Sequence, residues 1–276
     1  MSTYLRKLFG SKIQDSNGLE FPDSGDGMTA IEHLEELRKR VIYAAIGLVL
    51  GIVVAMFFGK NIIYLVQEPF QVVMQENGID AKPAAFTTAD GFWVYMHVSL
   101  LGGLILSAPW VSYQIWKFVS MGLHRNEKRF VGLGALFSGS LFVCGAIFFL
   151  KVVAYPMFRF FLSFNIWLEI QPVIRIRELV SQMVNLMLVF GIAFQIPVVV
   201  VILGRTGLAT TATLTKYRRH VIAGSLILAA IVTSPSPVDQ VALAVPMWLL
   251  YELGIILVRF QIGRSKPSEQ ANSNDK

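Results

Sequence analysis

The acids and bases of this 276-residue chain that could recognise a charged ligand gather beside its apolar segments. His33-Leu34-Glu35-Glu36-Leu37-Arg38-Lys39-Arg40 sets two acids and three bases within eight residues and runs directly into an apolar stretch that starts at Val41. On a helix Glu35 faces Arg38 and Lys39, and Glu36 faces Arg40, so each acid precedes its base at a favourable three- or four-residue spacing. The bases have an ordinary explanation as the positive flank of a membrane helix. Two carboxylates beside a membrane surface that is itself negative do not. A further acid, Glu127, stands in the polar segment Met121 to Arg129, where spacing alone favours a solvated charge paired with Lys128 or Arg129. Two such carboxylates brought together would accept a ligand carrying paired guanidinium groups, because the arginine fork binds a carboxylate through two parallel hydrogen bonds.

Polar residues inside the apolar segments are few. A charged side chain at the centre of a membrane helix costs roughly 2.5 to 3.5 kcal/mol on insertion scales, so each needs a reason. Glu252, about two turns before Arg259, suits an interhelical hydrogen bond or a partly wetted position better than a proton carrier. Gln195 divides evenly between a pairing within the bundle and hydrogen bonds offered to a partner's membrane helix. No phosphate loop, zinc-protease motif or nucleophile elbow is present, and no aspartate falls within an apolar segment, so the chain is not read as an enzyme. His33, His97, His124 and His220 form no recognisable ligand pair and Cys144 is alone in an apolar run, where it reads as a small packing residue. No metal and no cofactor is expected.

These residues must be positioned by membrane helices. The chain is 54% hydrophobic and only 15% charged, against about a quarter charged in soluble domains, which marks an all-α polytopic membrane protein. The net charge of +6 comes from bases clustered between apolar runs and reads as topology, with no nucleic-acid surface. Six spans are expected. Span 1, Val41 to Phe58, carries Gly47 and Gly51 one turn apart, a pattern suited to close helix contact. Ile62 to Val73 reads as a short amphipathic segment broken by Pro69. Span 2 runs from about Phe92 to Phe118, with Asp90 as a cap and Pro109 as a kink. Span 3, Phe130 to Val153, places Gly134, Ser138, Gly139, Ser140 and Gly145 for tight packing. Ala154 to Glu178 reads as a loop, and span 4 covers Leu179 to Leu203.

The next apolar run, Val221 to Thr233, would be roughly 20 Å long as a helix against a hydrocarbon core of about 30 Å. With the turn Ser234 to Pro237 and the return through Val241 to Val258, it makes a short hairpin that implies local membrane thinning. Of the 24 lysines and arginines, eighteen fall in segments expected on the cytoplasmic side and six in the outer ones, which places both termini in the cytoplasm. Residues 1–28 and 264–276 read as disordered cytoplasmic tails around a membrane domain of residues 29–263. The first apolar run is longer than a secretory leader's and should remain as an anchor, and the absence of a targeting segment favours a prokaryotic inner membrane.

Several motifs together resemble the TatC family, the multispanning subunit of the twin-arginine translocase. They are the segment His33 to Arg40, Ser107 to Phe118 leading into Gly122 to Arg129, Phe190 to Pro197, Thr233 to Gln240, and Tyr251 to Gly254, in the family's order from about Met28 to Gly263. The resemblance implies a glove-shaped bundle of six helices, helices 5 and 6 short. It implies a receptor that binds twin-arginine signal peptides of folded cargo and drives protein transport with the proton motive force. TatA- and TatB-type single-span subunits would be its partners in the bilayer, with further copies of the chain in a larger Tat complex. Glu36 and Glu127 fall on the family's signal-binding carboxylates, with Phe118 on an aromatic and Arg38 on an arginine of that surface. Pro69 matches a proline of the first outer loop. Gln195 stands where relatives often have glutamate, as a contact for partner helices. Ser236 stands where the family's Thr-Pro-Pro-Asp pattern has its aspartate, and Asp239 is the nearest acid. A solute or proton-coupled transporter, which would need ionisable groups at the membrane midplane, is the alternative, and a structural assembly factor is a third reading.

Overall fold

The computed structural model describes residues 30–79, 82–120, 131–205, 209–232 and 237–265. The chain divides into a first unit, residues 1–36, and a second, residues 37–276. The tails at 1–28 and 266–276, the whole segment Met121 to Arg129 with Glu127, and Ser236 lie outside the described residues.

Helix α1 (Ala30–Phe57) is followed by α2 (Gly59–Glu76), α3 (Asp90–Val119) and α4 (Val131–Phe148). A π-helical turn, Phe149–Val153, joins α4 to α5 (Ala154–Trp167). Then come α6 (Ile176–Ala193), α7 (Ile196–Arg205), α8 (Thr211–Lys216), α9 (Arg218–Val232) and α10 (Pro237–Ser265). Among the described residues there is no strand, and the one β-bridge is isolated, between Ala84 and Arg175. Among the described residues five helical runs are long and apolar enough to cross a membrane: His33–Phe57, Asp90–Val119, Gly132–Trp167, Ile176–Gly204 and Gln240–Phe260.

The expected fifth span is α9, 15 residues long and therefore roughly 22 Å, short of the core's 30 Å or so. Its hairpin partner differs from expectation. α10 has 29 residues, so the shortness belongs to α9 alone, and the helix continues past Arg259 instead of ending there.

Two expected irregular segments are also helical. Pro69 lies inside α2, buried with Val66, Phe70, Val73 and Met74 on the packed face, and does not break it. α2 ends at a left-handed Gly78 (φ 70°), where the Ile79 N–H reaches back to the Met74 carbonyl, a helix stop that a residue lacking Cβ adopts without strain. Ala154 to Trp167, expected as loop, continues the helix of span 3. The π turn ends just before Pro156, whose missing N–H already interrupts the ladder there. Lys151 in that turn donates to Glu68 at 2.8 Å, and the Tyr155 hydroxyl donates to Glu76 at 2.6 Å, tying the extended helix to α2.

Asp90 is 3% exposed, and its role differs from a cap. Its carboxylate accepts from the Phe86 and Thr87 backbone N–H groups at 2.8 and 2.9 Å and from the Thr87 hydroxyl at 2.7 Å. It therefore shapes the loop that enters α3, while the helix's own first N–H groups are left without a side-chain cap. Arg175 covers the Phe86 ring and Arg177 the Trp93 ring, which joins this loop to the start of α6.

The bundle's centre is α3, α4 and α6, with Phe149 and Phe190 stacked at 5.3 Å between ring centroids in its core. Small residues let these backbones meet. A Cβ on Gly139 would lie 2.6 Å from Pro109 Cα, one on Gly145 2.6 Å from the Phe190 carbonyl oxygen, and one on Gly51 2.7 Å from that of Gly103. The expected glycine seams of spans 1 and 3 are thus real contacts. Ser140 and Cys144, by contrast, are exposed on α4. Gly139→Val should destabilise the protein by about 1–3 kcal/mol, because the facing atoms are backbone. Gly132→Ala, whose Cβ would meet nothing within 4 Å, should not destabilise the protein. Thermal unfolding of both variants in detergent checks this.

Candidate functional site

At the basic end of α1, Arg38 and Lys39 are exposed and Arg40 is half-buried. The Arg40 guanidinium donates to Gln114 Oε1 at 3.3 Å, across to α3, where Gln114 is buried. Phe118 lies one turn beyond Gln114 on the same helix and is half-buried, and Lys117 stands over the Tyr113 ring at 5.6 Å. Arg40, Tyr113, Lys117 and Phe118 thus bring bases and aromatics to one end of α3, with buried Gln114 holding Arg40 there. Glu36, half-buried on α1, is the last residue of the first unit. Glu127 lies outside the described residues.

Deeper in the bundle the run of span 4 is broken. α6 stops at Ala193, Phe194 and Gln195 form a turn, and α7 restarts at Ile196. Pro197 causes the break, since it has no N–H to donate and its ring disfavours helical geometry in the residue before it. Freed backbone groups in hydrocarbon have no water to bond. The Gln195 amide answers this need: Nε2 donates to the Ser138 carbonyl at 3.1 Å and reaches the Gly191 carbonyl at 3.5 Å, while Oε1 accepts from the Ser138 hydroxyl at 2.5 Å. The pair closes one side of an apolar groove of about 360 Å³ between α3, α4 and α7, lined also by Leu104, Trp116, Phe142 and Val199.

Glu252 on α10 accepts from the Arg218 guanidinium of α9 at 2.6 Å, both half-buried. The neighbouring Tyr251 hydroxyl donates to the Leu214 carbonyl at 2.8 Å. The acid that a transporter reading would have needed as a midplane carrier is therefore committed to an ion pair between two helices. Pro69 sits in α2, and Asp239 lies in the first turn of α10. Among the described residues no group of three histidines, cysteines or acids could hold a metal ion.

The family model described as Sec-independent protein translocase protein (TatC) matches residues 32–246. The chain belongs to the TatC family. A TatC of Desulforapulum autotrophicum is 35% identical over 240 residues, 87% of this chain and 87% of that one. The TatC of Escherichia coli K12 is 30% identical over 245 residues, 89% of this chain and 93% of the relative. The fold agrees as well. A crystal structure of the twin-arginine translocase receptor TatC superposes with a TM-score of 0.75 at 29% identity, covering 83% of this chain and 99% of that one. TatC proteins belong to a membrane-embedded protein translocase, a transport function with no catalysed chemical step.

Ser138, Gln114 and Arg218 are the members of these pairs that residue spacing could not single out. Each lies more than thirty positions from its partner, and only their polar character within or beside apolar segments marked them. A carboxylate at position 195 could still accept from the Ser138 hydroxyl but could not, when ionised, donate to the Ser138 carbonyl. Gln195→Glu should therefore lower stability by about 1–3 kcal/mol, read as thermal unfolding of the purified protein, and Ser138→Ala, which keeps the carbonyl but removes the hydroxyl that a carboxylate could still use, should leave that difference undiminished.

Proposed function

We propose that this chain is the core receptor subunit of a twin-arginine translocase in a prokaryotic inner membrane, with both termini in the cytoplasm. Glu36 and Glu127 accept the guanidinium groups of a signal peptide's arginine pair, and Phe118 and Arg38 also take part in binding the signal. Two carboxylates are the acceptors such a ligand calls for, since each arginine fork can take a bidentate partner. The apolar part of the signal then enters the bundle. TatA- and TatB-type single-span subunits approach the groove at Gln195, and the proton motive force drives folded cargo across. Several copies of the chain share the complex.

The observation that carries this reading is the joint presence of the acidic motif at the mouth of α1 and family membership over most of the chain. The solved relative with the matching fold is itself a twin-arginine translocase receptor. The orientation rests on the excess of lysine and arginine in the segments assigned to the cytoplasmic side.

Photocrosslinkers placed beside the two acids, at positions 37 and 126, should capture a folded cargo bearing an Arg-Arg signal and lose it with the Lys-Lys version, because an ammonium group cannot make the bidentate pair. Glu36→Ala combined with Glu127→Ala should abolish capture from a neighbouring position such as 118. Equal capture of both signals would reduce the two acids to solvated charges.

The short α9 bears on transport itself. Its length deficit against the bilayer thins the membrane where cargo passes. Lengthening α9 by about one turn, four residues, should reduce export while leaving signal capture unchanged. Undiminished export would remove thinning from the mechanism.

A further inference from the structure

α9 and α10 pack side by side, and the Arg218–Glu252 ion pair fixes their level against each other. Between them lies a second groove, of about 260 Å³, whose lining includes Ile222, Leu226, Val241, Val245 and Trp248. The one hydroxyl in that lining, Ser225, donates back to the Ile222 carbonyl at 2.8 Å, so the groove presents an apolar wall. Along α10 it begins four residues from Glu252, at Trp248, and ends eleven residues from it, at Val241. It therefore covers roughly 6 to 16 Å from the ion pair, the depth of one leaflet of a hydrocarbon core about 30 Å thick. Spread over about 10 Å of helix, its volume gives a section of about 26 Å². A helix about 10 Å across has a section of roughly 80 Å², so the groove admits a single hydrocarbon chain, and a helix could offer it only side chains. Left empty, the lining would forfeit its dispersion contacts. A lipid chain is the filler that a bilayer supplies.

The mouth of this groove is basic. Ile222 follows Arg219 by three residues and Arg218 by four, the spacings of one helix face. Arg219 is exposed and makes no ion pair or hydrogen bond among the described residues. Within the ion pair the Glu252 side chain is 20% exposed and that of Arg218 40%, so the base is the member turned outward. Residues 204–236 hold four lysines and arginines and no acid, which leaves Glu252 to balance only one of the two arginines. Half-buried Trp248 stands at the same mouth, and indole rings settle at the headgroup level of a membrane.

We infer that the groove binds an anionic phospholipid from the leaflet on the base-bearing side. The phosphate lies against Arg219 and the outward edge of Arg218, whose forked N–H groups match its oxygens. The Trp248 indole faces the glycerol esters, and one acyl chain fills the groove from Ile222 to Val241. Anchored in this way, α9 keeps its base-bearing end at the headgroups, and its length deficit of about 8 Å falls at the far end. The proposed function enters only in assigning the base-bearing side to the cytoplasm, whose leaflet is the negative one. No signal-binding residue takes part.

The test places the full chain in vesicles of equal parts phosphatidylcholine and phosphatidylglycerol, extracts it gently in detergent, and counts the retained lipids by native mass spectrometry. One phosphatidylglycerol per chain should be retained, favoured about tenfold over phosphatidylcholine. Arg219→Gln should cut that retention about fivefold, and Lys60→Gln on α2 should leave it unchanged. Val245→Trp, which fills the groove and spares the charges, should remove the adduct. Thermal unfolding shows which variants keep the fold, and exposed Arg219 carries the test if Val245→Trp does not. A photoreactive group on the phosphatidylglycerol chain should label α9 and α10 between positions 222 and 245. Retention without headgroup preference, an adduct indifferent to Arg219→Gln or to a folded Val245→Trp, or label spread evenly over the lipid-facing helices would overturn the proposal. Capture of an Arg-Arg signal from position 118 reports on the receptor reading separately: its absence in the unaltered chain rejects that reading and leaves the lipid site standing.

Discussion

Lipid is as apolar as leucine, so burying apolar side chains between helices gains little inside a membrane, and the bundle must rely on close van der Waals contact and on satisfied polar groups. The contacts of α3 with α1 and α4, and of α4 with α6, follow from this constraint. Gly51, Gly139 and Gly145 each bring a helix within a Cβ's width of a neighbouring backbone. The Trp110 indole N–H donating to the Tyr43 carbonyl at 3.0 Å and the Tyr95 hydroxyl donating to the Met56 carbonyl at 2.6 Å add directional bonds along the α1–α3 seam. On that seam it is Gly51, facing the Gly103 carbonyl, that lets the two backbones approach.

The same constraint decides where polar chemistry can sit. Three polar side chains within the bundle are each held by another element: Gln195 by Ser138, Glu252 by Arg218, Tyr251 by the Leu214 carbonyl. The helix break at Pro197 is tolerable because the Gln195 side chain bridges the freed backbone to α4. Charges available for a ligand therefore collect at the basic end of α1 and α3, where water can supply part of their solvation. This division suits a receptor that reads a peptide's charge at the surface and its apolar segment within.

Beyond the hydrocarbon the balance changes, and the far-side structure is held by means familiar from soluble proteins. Asp90 gathers three donors from its entering loop, Arg175 and Arg177 lie over aromatic rings, and Lys151 and Tyr155 reach acids on α2. Water makes burial of apolar surface favourable again there, as where Phe70 of α2 packs edge-on against Phe158 of α5.

The sequence by itself determined the membrane class, the apolar spans, the deficient length of α9, the glycine positions on α1 and α4, and the acidic motif before span 1. These are local properties: composition, run length and spacing along a helix, which hydropathy and periodicity express directly. It did not reveal that Ala154 to Trp167 stays helical, because proline and aromatics resemble a loop until the π turn absorbs the missing N–H of Pro156. Nor did it distinguish a capping Asp90 from one that binds its own loop, or a packed Cys144 from one on an outward face, since helix rotation is set by neighbours. The partners of Gln195, Glu252 and Arg40 were decided only by the tertiary structure. They lie 57, 34 and 74 residues away, and no local pattern encodes which helices will stand side by side.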